Sequence, residues 1–128
     1  MAALGGGVLA VAVAAHTTHY SSSLEIHAGT VGTMDNYVYG VVRSPNEHCV
    51  GERKVRVYRK VQGTDKKLGA DTSQHVSSGV GPYTVTAPSG DLHPGAYYSQ
   101  TDKRDLRRGP RHAHICRGAT SDDLDVGP

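Results

Sequence analysis

Apolar residues recur at every second position in short stretches of this chain, and Gly, Pro, Asn and Asp separate the stretches, a pattern that predicts strands rather than helices. In RKVRVYRKV (53–61), Val55, Val57 and Val61 fall on one side and Lys54, Arg56, Tyr58 and Lys60 on the other, with Arg59 the one breach. PYTVTA (82–87) and AYYSQT (96–101) repeat the alternation, and SLEIH (23–27) follows it weakly. YVYGVV (37–42) is apolar on both sides, as expected of a strand covered on both faces. QGTD (62–65) predicts a turn into KKLGA (66–70), hence a hairpin, while 43–52, 71–81 and 88–95 read as loops. Several short strands at near-even spacing predict an all-β sandwich. Its expected limits are 37–121, preceded by an extension at 16–36 with one strand and followed by a loose acidic tail at 122–128.

Composition narrows the core. The 128 residues suit one domain and include no Trp and no Phe, so Val, Leu, Ile and seven Tyr must fill the interior. Tyr37, Tyr39, Tyr83, Tyr97 and Tyr98 are expected there by pattern, with Tyr98 turned outward if Tyr97 points in. Sixteen Gly and six Pro argue against long helices, and a net charge of +2 is too small to suggest nucleic acid as a partner. The apolar run LGGGVLAVAVAA (4–15) is shorter than the roughly 20 residues a bilayer span needs, so no membrane span is expected. It ends in Val13-Ala14-Ala15, a small-residue pattern that fits signal-peptidase cleavage, and polar HTTHYSSS follows at once. Residues 1–15 therefore read as the remnant of a signal peptide and the protein as secreted or cell-surface. No Lys or Arg precedes the run, and the alternative is a buried strand.

The order YGVV, GERKVRVYRK, LGADTS, GPYTV, HPGAYY resembles the carboxypeptidase regulatory-like, or prealbumin-like (transthyretin-like), sandwich over about residues 37–120. A subgroup of exported bacterial domains is similar in carrying Cys before the RKV strand, a turn like GTDKKLG, PGAYY, and a second Cys followed by a small residue and Ser; Cys49, Arg53-Lys54-Val55, Pro94 to Tyr98, Cys116 and Ser121 fall on that pattern. The resemblance implies a Greek-key sandwich of about seven strands with a structural, adhesive or accessory binding role. Its partner would be a protein or glycan at the cell surface, or another copy joined through an open sheet edge.

Two cysteines in an exported chain most simply form one disulfide, Cys49 to Cys116, closing a 67-residue loop worth roughly 4 kcal/mol in the chain-entropy picture. Two free thiols are the rival, expected in a reducing cytosol. RHAHIC (111–116) would place His112, His114 and Cys116 on one strand face, where a metal could gather with a fourth partner such as His48, His75 or His93. The same motif resembles the Arg-Pro-Ala-His-Ile-His of intradiol ring-cleavage dioxygenases, which share the prealbumin-like fold and hold iron with two Tyr and two His. That resemblance implies His114 and Tyr97 as ligands, but Cys116 replaces the second histidine and the segment bringing the other tyrosine is a short hairpin. Half a ligand set does not retain the iron the reaction requires, so no catalytic activity and no cofactor are expected. Finally, KRDLRRGPR places Lys103, Arg104, Arg107, Arg108 and Arg111 within nine positions. Such a loop could bind a sulfated glycan, a phosphate-rich polyanion or an anionic membrane surface, or simply be solvated.

Overall fold

The structure, a computed structural model, describes residues 16–77, 79–109 and 112–128. Residues 1–15, and with them the signal-peptide reading, lie outside the described residues. The described chain is almost entirely β. Its strands are β1 (His16–Tyr20), β2 (Ser23–Leu24), β3 (His27–Val31), β4 (Met34–Arg43), β5 (Lys54–Arg59), β6 (Lys66–Thr72), β7 (Val80–Thr86), β8 (Gly95–Thr101), β9 (Arg104–Gly109), β10 (His112–Cys116), β11 (Ala119–Thr120) and β12 (Leu124–Val126). The remaining regular element is a 3₁₀ turn, Glu47–Cys49.

Two antiparallel sheets form the sandwich. In one, β4 pairs with β2 and β3 along one edge and with β7 along the other. In the other, the order runs β6, β5, β8, and β8 then pairs with both β11 and β12. A three-stranded ribbon of β1, β10 and β9 completes the fold, with β1 parallel to β10. The core lies between the two larger sheets, where Val38 and Val42 of β4 and Tyr83 and Val85 of β7 meet Val55 and Val57 of β5 and Tyr97 of β8. The period-two pattern puts them there, because successive side chains of a strand project to opposite faces. Arg59 breaks that pattern where β5 leaves the core, and its guanidinium donates to the Pro94 carbonyl at the sandwich margin.

Among the described residues twelve strands stand where about seven were expected, and the surplus comes from stretches with little or no alternation to read. The extension at 16–36 supplies β1, β2, β3 and the start of β4. The acidic tail is not loose: β12 pairs with β8 and buries Val126 in the core. The basic segment expected as a loop contains β9. These short segments are held as strands by pairing with neighbouring sheet edges. β4 also departs from expectation, since only one of its faces is fully covered. Tyr39 is 41% exposed on the other face, while Tyr37 lies across the flat backbone of Gly29, where a Cβ would run into its ring. Tyr83 and Tyr97 are core residues, and Tyr98 is half-buried facing outward, as the inward turn of Tyr97 requires.

A polar bridge crosses the core. The Tyr83 hydroxyl donates to the Glu25 carbonyl at 2.7 Å and accepts from the Ser99 hydroxyl at 2.9 Å, linking β7 to β8. Gly40 allows this contact, because a Cβ at that position would collide with the Glu25 carbonyl. Burial pushes Tyr83 up to about 12 from its ordinary 10.0, with the Ser99 hydrogen bond opposing. Tyr83→Phe leaves the Glu25 and Ser99 oxygens without their partner and is expected to cost about 1–3 kcal/mol in urea denaturation. Above pH 10 the unfolded chain loses the Tyr83 proton while the folded chain keeps it, so the associated stability is complete below pH 10 and falls as pH rises through about 12. The Phe variant should show a shallower alkaline decline; a decline equal to wild type contradicts this assignment.

Candidate functional site

The site is built around one covalent tie and one buried cation. Cys49 ends the 3₁₀ turn, whose first residues are held by the Asn46 side chain accepting from the His48 amide at 2.9 Å. Cys116 ends β10, and the two residues form a disulfide with their α-carbons 5.5 Å apart, both fully buried. Four residues beyond Cys49, Arg53 is 1% exposed. Its guanidinium donates to the Cys49 carbonyl (2.8 Å), the Asp102 carbonyl (2.8 Å), the Arg117 carbonyl (2.9 Å) and the Ser22 hydroxyl (3.1 Å). Those acceptors belong to four junctions: β1 to β2, the loop ahead of β5, β8 to β9, and β10 to β11. Burial is the main influence lowering the Arg53 pKa, the nearby Arg104 cation adds to it, and the Asp102 carboxylate opposes it. That carboxylate serves Arg56 directly, receiving both of its terminal nitrogens at 2.8 and 3.1 Å.

Above this anchor opens a cleft of about 840 Å³. Its walls are the 47–52 loop, the segment Thr72–His75 after β6, and Arg104–Arg107 of β9. Glu52 stands at its rim with φ of 55°, in the left-handed region that costs a side-chain-bearing residue about 1–2 kcal/mol. Neighbouring bonds hold it there. Its amide donates to the Ser73 carbonyl at 2.7 Å and its carboxylate accepts from Arg104 at 3.2 Å, while Arg104 also donates to the Gly51 carbonyl at 2.9 Å. Ser73 is buried beneath, bonding the Arg53 amide and the Val50 carbonyl. His48 and His75 line the same cleft.

The residues expected to carry chemistry are distributed unevenly. His112 and His114 lie on β10, whereas Tyr97 is buried on β8 in a different sheet and donates its hydroxyl to the His93 carbonyl at 2.7 Å. The set His112, His114 and Tyr97 is therefore not assembled, and the Cys116 sulfur is taken by the disulfide. Among the described residues no group of three or more His, Cys, Asp or Glu is arranged to hold a metal. Of the basic segment, Arg104 serves Gly51 and Glu52, Arg107 pairs with Asp105 at 2.9 Å, and Lys103 is exposed on the turn between β8 and β9. Arg108 lies on β9, and Arg111 falls outside the described residues. The sequence offers Arg53 only as the first residue of the 53–61 strand and part of the RKV pattern; its role as a buried anchor is not readable there, because its acceptors come from residues 22, 49, 102 and 117.

Neither a protein-family model nor a curated protein matches this chain. The disulfide is present, and among the described residues no helix is long and apolar enough to cross a membrane.

Arg53→Ala strands three carbonyls that the guanidinium now satisfies and should destabilise the protein by at least about 3 kcal/mol in urea denaturation. Arg53→Lys keeps the charge but offers one compact ammonium to four dispersed acceptors, and should recover only part of that loss. A lysine variant as stable as wild type would show that charge alone, not the four-way geometry, is what matters. Cys49→Ser is expected to cost about 2–5 kcal/mol by the same measurement, and reductant should have no further effect on that variant.

Proposed function

We propose that this chain is an exported, non-catalytic β-sandwich module with a structural, adhesive or accessory binding role, prealbumin-like in its Greek-key connections. The observation that carries this reading is the disulfide between Cys49 and Cys116. Such bonds persist in oxidising compartments, and this one lies buried at the junction of ribbon and sandwich, as a structural bond does. The apolar run ending at Val13-Ala14-Ala15 supports export independently. The sheet order supports the architecture, because β5 stands between β6 and β8 while the intervening β7 crosses to the opposite sheet beside β4.

Binding to a cell-surface protein or glycan would use the cleft beside β9, where acidic, basic and histidine side chains alternate around an open floor. The edge strands β3 and β6 offer a route to pairing with another copy. A polyanion site over Lys103–Arg111 has weaker support, since Arg104 and Arg107 already serve Glu52 and Asp105. Heparin retention at low salt should accordingly be slight and should vanish at physiological ionic strength.

The test is expression behind the chain's own leader. The exported protein should begin at His16, should contain no free thiol, and should gain the mass of two hydrogens on reduction. Accumulation inside the cell with two titratable thiols would overturn the proposal.

A further inference from the structure

We propose that the exported chain binds copper(II) at its new N-terminus, through the α-amino group and imidazole of His16 together with the imidazole of His112. This inference rests on the export reading for the position of the N-terminus and on the structure for the partner histidine. Cleavage after Val13-Ala14-Ala15 would make His16 the first residue, adding a free amine to its side chain. In the parallel pairing of β1 with β10, His16 stands opposite His112. Their rings face one another with centroids 6.0 Å apart and planes inclined by 23°.

Partners in register on adjacent strands project to the same side of a sheet, so both imidazoles are presented together. Both residues are exposed, so a cation reaches them without crossing the core. Bonds to imidazole nitrogen run about 2.0–2.1 Å, which requires two nitrogens sharing one ion to lie roughly 3–4 Å apart. The rings are stacked with centroids 6.0 Å apart, so binding would require both to rotate until a nitrogen edge of each points at the other, which brings the nitrogens to about that separation. An amine and two imidazoles form an all-nitrogen set, and among divalent first-row ions copper binds such sets most tightly and in the tetragonal geometry they favour.

The anchoring of β1 suits this role. Its distal end is fixed where the Tyr20 carbonyl accepts from the Arg117 amide at 2.9 Å, the Ser21 carbonyl accepts from the Ser44 hydroxyl at 2.8 Å, and Ser22 meets Arg53. Among the described residues, the strand pairing at the His16 end is its ladder with β10. An ion bound to His16 and His112 would fasten the end that the disulfide and Arg53 do not reach, and so should raise the melting temperature. His19 projects from the opposite face of β1, beside Ile115, and takes no part. His114 packs against Tyr20 with centroids 5.6 Å apart.

The experiment titrates the exported, disulfide-bonded protein with copper(II) chloride in a non-chelating buffer. Affinity is followed calorimetrically and nitrogen coordination by electron paramagnetic resonance. One ion per chain with three coordinated nitrogens is expected. His16→Ala and His112→Ala should each weaken binding by at least about tenfold and remove the rise in melting temperature, while His19→Ala changes neither. Circular dichroism of the metal-free variants establishes that they fold. Binding that survives His112→Ala, or that is lost in His19→Ala, overturns the site. N-terminal sequencing separates the two premises: a start other than His16 overturns the amine ligand and the leader boundary, whereas a start at His16 without copper binding overturns the site and leaves export standing.

Discussion

A guanidinium buried without a facing carboxylate governs this molecule. Removing a charge from water is costly, and for Arg53 that cost is offset by direct hydrogen bonds to three carbonyls and one hydroxyl, with the nearby Asp102 carboxylate helping at longer range. Each acceptor lies in a different junction, so the arrangement is favourable only when the ribbon, both sheets and the loop ahead of β5 are in place together. The adjacent disulfide works on the same junctions from the other direction. By joining Cys49 to Cys116 it limits how far the unfolded chain can separate segments whose carbonyls Arg53 must collect.

That anchor shapes the cleft above it. Glu52 adopts a left-handed backbone between Cys49 and Arg53, and the constraint on both sides explains why a non-glycine residue is held there. Its carboxylate then meets Arg104, and a basic segment that looked free to bind anions is partly engaged inside the molecule. The same economy appears on the outer face of the β5 and β8 sheet. Arg56 joins Asp102 to the Tyr58 hydroxyl, and Tyr58 stacks on Tyr98 at 5.3 Å between centroids. The Tyr98 hydroxyl donates to Asp65 at 2.6 Å, and that bond is the main cause of its raised pKa. Arg56, Arg104 and Arg107 are thus each engaged by a carboxylate of the same molecule.

Much of the fold was legible before any coordinates. The valines of β5, the alternation in β7 and β8, the hairpin from β5 to β6 and the pairing of the two cysteines all follow from local pattern and from the simplest use of two cysteines. The misreadings share a cause. HTTHY, the tail around Leu124–Val126 and the basic segment of β9 carry little or no apolar alternation of their own, and each becomes a strand by adding to an edge that another part of the chain presents. Apolar neighbours predict a core position for Tyr39, yet among the described residues no layer covers the face it occupies.

What the sequence determined by itself is the class of structure: alternation fixes which side of each long strand is buried, and turn residues fix where strands end. Only the tertiary structure decided which distant groups meet. That Arg53 would be buried among carbonyls from residues 49, 102 and 117, that Tyr97 would be separated from His114, and that His16 would stand opposite His112 all depend on strand order and register. Register and order are set by the combined burial of every strand and not by the residues that come to face one another, so no local stretch of this chain encodes them.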